Sequence, residues 1–135
     1  MHGGILVPLF ENFRMEYSYL GTSASQSVNL VRALCVAPFY RVQLIIRLHS
    51  LTLVAQRIYF TLYNTLPSDV DPQDFTDYGS PFLTMLIASG SPPELVSSSS
   101  TDPGAFLTLR MLALQSNSGD RFYGEFSGAL LLRPS

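Results

Sequence analysis

Lysine is missing from this chain: all eight of its basic residues are arginine. Tryptophan is missing too, and cysteine occurs once, at Cys35. Charged residues make up only 13% of the 135 residues, against roughly 25% in an ordinary soluble domain. Each scarcity excludes something. Without lysine there is no Gly-Lys-Ser/Thr phosphate loop. A single cysteine gives neither a disulfide framework nor a cysteine zinc site. The net charge of −2 offers no basic face to nucleic acid. Long apolar runs are absent as well, since residues 5–10, 33–40 and 82–88 stop far short of the ~20 residues of a membrane span. The first ten residues are apolar but have no positive n-region, and Pro8 interrupts a short run, so they do not read as a signal peptide. The expected location is a virion if the protein is viral and a cytoplasm otherwise.

Codon bias explains arginine in place of lysine, but it does not explain so few acids. Interface cores are depleted in Lys, Glu and Asp and enriched in aromatics, Met and Arg. The scarcity of charge therefore points to a surface covered by other copies or by a partner.

What is present is alternation. In residues 40–49, Tyr40, Val42, Leu44, Ile46 and Leu48 share one face, and Arg41, Gln43, Arg47 and His49 share the other, with Ile45 as the exception. That period of two is a half-buried strand of an antiparallel sheet. Residues 57–63 and 121–133 alternate in the same way. Residues 105–114 and 82–89 are apolar on both faces, as central or covered strands are. Residues 28–36 and 13–20 complete a set of six or seven strands. Residues 64–81 and 90–104 read as two long connections carrying Pro, Ser and Asp, with the serines at 97–100 as a loop tip. The pattern predicts an all-β protein, an antiparallel β-sandwich with jelly-roll or Greek-key winding.

The apolar segment ahead of the strands contains Ile5, Leu6, Val7, Leu9 and Phe10. Left free, it would be an aggregation liability. Gly3, Gly4 and Pro8 suit an extended arm better than a core strand, so residues 1–12 are expected as an N-terminal arm that adds to another chain. Residues 13–135 are then the single sandwich domain.

Chemistry-bearing patterns are weak. Asp69, Asp71, Asp74 and Asp77 form the only acidic cluster. A calcium ion takes roughly six to eight oxygens, but counting from Asp69 the glycine and glutamate positions of the EF-hand loop hold Asp74 and Ser80. These four residues are weak metal candidates in a loop expected to be solvated, and neither a resident metal nor a cofactor is expected. Gly21-Thr22-Ser23-Ala24-Ser25 lacks the closing glycine of a nucleophile elbow. Cys35, in an apolar strand, reads as packing. His2 and His49 have nothing to bring them together with it. No catalytic constellation emerges, and the chain is expected not to be an enzyme. Tyr59 and Tyr63 share the polar face of one strand, where they pack across strands or meet a partner. Gly124 and Gly128 alternate with Phe122 and Phe126, leaving room for a large neighbouring side chain.

The function expected from these features is structural: a self-associating β-sandwich subunit that coats or cements a larger particle. Its most concrete form is a virion decoration or minor capsid protein. Ile5, Leu6, Val7, Leu9, Phe10, Tyr59 and Tyr63 are the expected partner-binding residues. The partners are other copies and a larger protein assembly, with neither nucleic acid nor membrane. The alternative is a carbohydrate-binding module or lectin using the exposed tyrosines.

Overall fold

The computed structural model describes residues 4–18, 24–52, 57–64, 80–87, 94–115 and 121–134. They form eight strands: β1 (Ile5–Ser18), β2 (Ala24–Cys35), β3 (Arg41–Thr52), β4 (Arg57–Asn64), β5 (Ser80–Ile87), β6 (Glu94–Thr101), β7 (Phe106–Gln115) and β8 (Arg121–Arg133). Two four-stranded sheets stack as a sandwich, one in the order β1-β8-β3-β6 and the other β2-β7-β4-β5. Every pairing is antiparallel. Consecutive strands lie in opposite sheets at each step except β4 to β5. The chain thus winds as a doubled-over ribbon, β1 to β4 pairing in turn with β8, β7, β6 and β5.

Alternation decides which face is buried. Val42, Leu44, Ile46 and Leu48 of β3, Ile58, Phe60 and Leu62 of β4, Leu107, Leu109, Met111 and Ala113 of β7, and Phe126, Leu130 and Leu132 of β8 are buried in one core between the sheets. Two aromatic rings span it: Phe60 and Phe126, from opposite sheets, meet edge to face with centroids 5.5 Å apart. Between β2 and β3 the chain turns at Val36–Phe39, where the Ala37–Pro38 peptide is cis. There the Phe39 N–H donates to the Val36 carbonyl at 2.8 Å.

β2 departs from regular pairing with β7 between Asn29 and Val31 and again between Val31 and Leu34. Within the second irregularity Ala33 takes a positive φ of 48°. Its N–H donates to Thr108 Oγ1 at 3.0 Å, and Thr108 is fully buried. Thr108→Val keeps the shape and removes the acceptor, leaving the bulge N–H without this bond. A loss of about 1–3 kcal/mol is expected, read as a lower urea midpoint at unchanged m-value. An unchanged midpoint would show that the bulge does not depend on this bond.

Three expectations need correction. Residues 90–104 are not one connection, because Glu94–Thr101 is strand β6, paired with β3 without interruption. Its serines carry no apolar alternation, so no hydrophobic signal marks a strand that backbone pairing supplies. Residues 5–12 are the first half of β1, paired with β8 from Ile5↔Leu132 onward, so the boundary expected at residue 12 falls inside a strand of the chain's own sheet. Val7, Leu9 and Phe10 pack on the core there, while Ile5 and Leu6 stay exposed. Cys35 is exposed at the end of β2 instead of buried. Asp69, Asp71, Asp74 and Asp77 lie outside the described residues.

Candidate functional site

Both sheets expose apolar side chains on their outer faces, and on the β2-β7-β4-β5 sheet Leu86 of β5 is 49% exposed. On that sheet, Thr61 and Thr108 alternate with core residues and so face outward, yet both are buried. On the β1-β8-β3-β6 sheet the outer face carries large apolar side chains in the open. Leu6 is 59% exposed and Leu95 is 58% exposed.

Register explains the shape of this face. Pro8 of β1 pairs with Ala129 of β8, Ala129 with Ile45 of β3, and Ile45 with Ser97 of β6. These four residues form a row across the whole sheet. Ala129, the smallest of its apolar members, sits between Pro8 and Ile45, so the face dips at its centre. On either side the face rises to Leu6, opposite Leu131, and to Leu95, opposite Arg47. The result is an open hollow of about 310 Å³ lined by Leu6, Pro8, Ile45, Leu95 and Ala129, with Glu11 and Arg47 on its rim. Both rim charges are exposed. The floor is apolar, bordered by one acid and one arginine, and Ser127 also lines the hollow.

The hollow is held from below by the bulges of β1. Its pairing with β8 shifts between Pro8 and Phe10 and again between Phe10 and Phe13, and Asn12 takes a positive φ of 50°. The Asn12 N–H donates to Ser127 Oγ at 3.1 Å. The Ser127 hydroxyl lies 2.6 Å from His49 Nε2, and donates to it when the imidazole proton is on Nδ1. Arg14 and Glu125 approach to 3.7 Å nearby, with Arg14 exposed and Glu125 half-buried; a pair open to water on one side is worth little by itself. The shifts turn the Phe10 ring over Gly128, where a Cβ would collide with its Cε1 and Cζ atoms. The space left by this glycine is therefore filled by the neighbouring strand of the same chain.

The expected partner-binding residues do not form one patch. Ile5 and Leu6 are exposed on β1, and Leu6 and Phe10 line the hollow. Val7 and Leu9 belong with the core. Tyr59 and Tyr63 lie on the outer face of the opposite sheet, half-buried, with Tyr59 between Leu86 and Leu112 and Tyr63 between Pro81 and Thr108. Sequence reasoning missed Pro8, Ile45, Leu95 and Ala129. Ile45 did leave a trace, because it is the one residue that breaks the alternation of its strand. Leu95 left none, since its strand was read as a connection.

No protein-family model and no curated protein sequence matches this chain. Its fold is similar to that of the VP2 protein of infectious bursal disease virus. For the T=1 particles derived from infectious bursal virus the TM-score is 0.59 at 12% identity, covering 98% of this chain and 31% of the viral one. In a VP2 subviral particle it is 0.57 at 12% identity, covering 98% and 32%. The structure of the Gx strain of infectious bursal disease virus gives 0.55 at 11% identity, again over 98% and 32%. The chain spans about a third of the length of the viral proteins it resembles, and the likeness establishes the sandwich fold. Among the described residues no helix is long and apolar enough to cross a membrane.

Proposed function

We propose that this chain is a non-enzymatic structural subunit that associates with copies of itself in a virion shell or a comparable protein particle. The observation that carries this reading is the apolar hollow with Leu6 and Leu95 standing more than half exposed on its walls, in a chain with so few charges. Burying a leucine fully contributes about 1.5–3 kcal/mol, so covering these two half-exposed side chains favours association by a few kcal/mol at most. A stable interface needs roughly 1,200 Å² or more in total, so the hollow acts as the centre of a larger contact. Glu11 and Arg47 on one rim give a surface that can complement a copy of itself, as a two-fold contact requires.

The winding supports the same direction. The order β1-β8-β3-β6 over β2-β7-β4-β5 is the order we assign to an eight-strand jelly roll, a fold used in capsids and in lectins alike. Fold alone does not choose between those uses. The resemblance to a protein solved as T=1 and subviral particles favours the first.

The test is the solution mass of the full chain, by light scattering over a range of concentrations, beside that of Leu6→Asp. A defined oligomer is expected, with at least a tenfold weaker dissociation constant in the variant. A wild-type chain that stays monomeric at millimolar concentration overturns the proposal.

A further inference from the structure

Each sheet has two edges, and three of the four are blunted. β1 contains Pro8 and two register shifts. β2 has two register shifts of its own. β5 contains Pro81, with a shift in its pairing beside it. Such devices keep an edge strand from pairing with another chain. β6 has none of them. It pairs with β3 in unbroken register from Arg41↔Thr101 to Leu48↔Glu94. It holds no proline and no positive charge, and from Leu95 to Thr101 it holds no charge at all. Among the described residues nothing pairs with its outer edge, and Leu95, Ser97, Ser99 and Thr101 are exposed.

We propose that β6 is the edge at which a second copy of this chain adds, strand β6 to strand β6, antiparallel across a two-fold axis. The inference rests on the self-association proposed above and names the contact that makes it. An antiparallel strand pair is its own complement, so a segment can meet itself only if no like charges come opposite each other. The stretch from Leu95 to Thr101 satisfies that condition. β1, with Glu11, Arg14 and Glu16 along its length, is less suited to it.

Faces also match. Leu95, Ser97 and Ser99 pair with Arg47, Ile45 and Gln43 on the outer face, and Val96 pairs with the core residue Ile46. With the axis perpendicular to the sheet, outer face continues into outer face. The two four-stranded sheets then become one, and Leu95 from each copy lies on a single surface beside the two hollows. Backbone hydrogen bonds supply the attraction, as in other strand additions.

Two experiments on the full chain decide it. Ser97→Lys with Ser99→Lys brings lysines together across the axis, and both positions are exposed, so the fold checked by circular dichroism stays intact. Light scattering is expected to show association weakened at least tenfold. In a Cys35→Ser background, single cysteines at Ser97, Ser98 and Ser99 are oxidised in turn. At least one is expected to give a disulfide-linked dimer, while Ile5→Cys on the opposite edge gives none. If the wild type associates, the double-lysine variant associates equally well and no β6 cysteine cross-links, the β6 contact is overturned and self-association survives through another surface. A wild type that is monomeric throughout removes both.

Discussion

Phe126→Ala is expected to lower the free energy of unfolding by about 3–5 kcal/mol, a large part of the roughly 5–15 kcal/mol that holds a domain of this size. The side chain is fully buried. It sits on β8 between Phe13 of β1 and Leu48 of β3, and its ring meets Phe60 of the facing sheet at 76°. Truncation therefore opens a cavity where the sheets are joined, surrounded by strands whose backbone pairing prevents collapse into it. The edge-to-face contact adds about 0.5–1.5 kcal/mol beyond the buried area. That part is isolated by a double-mutant cycle with Phe60→Leu, in which the two losses should not add. Urea denaturation of the purified chain gives both numbers. A loss below about 1 kcal/mol for Phe126→Ala would mean that the sheets do not pack through this residue.

The second large effect is at Gly128. A Cβ there meets the tip of the Phe10 ring, and Ile46 Cδ1 lies 3.2 Å away. Gly128 pairs with Phe10 and Ile46 on the two neighbouring strands, so the intruding atoms come from both sides. Gly128→Val is expected to destabilise by about 3 kcal/mol, at the upper end of what overpacking costs. Gly128→Ala should cost less, because a phenyl ring tip and a terminal methyl can each give way. The diagnostic result is rescue. Phe10→Ala alone removes packing from the core, but combined with Gly128→Val it should recover a good part of the loss. Strict additivity of the two would show that Phe10 does not cover this glycine and that β1 does not enter the sheet as described.

Parts of the fold were plain in the sequence. The strand expected at 121–133 is β8, and 57–63 falls within β4, because 57–63 alternates throughout and 121–128 alternates before the apolar run at 129–132. Strand β6 was opaque for the opposite reason. A run of four serines has no side-chain pattern, and it is a strand because β3 stands beside it. The first strand was misread because an apolar segment with a proline and two glycines satisfies two descriptions, an arm and a bulged edge strand, equally well. Only the position of β8 distinguishes them. The hollow was legible in one residue, Ile45, whose break in the alternation marks an apolar side chain turned to the outside.

By itself the sequence determined the class of structure, the identity of the buried face on most strands, and the poverty of charge that makes association the natural reading. These depend on the order of residues along one strand and on composition. Strand order, the path of residues 5–12, the meeting of Leu6, Ala129, Ile45 and Leu95 on one surface and the unguarded edge of β6 were decided by the tertiary structure. Each of these joins segments far apart in the chain through backbone pairing. The N–H and C=O groups that make those bonds are present in nearly every residue, so the sequence does not record which segments they will join.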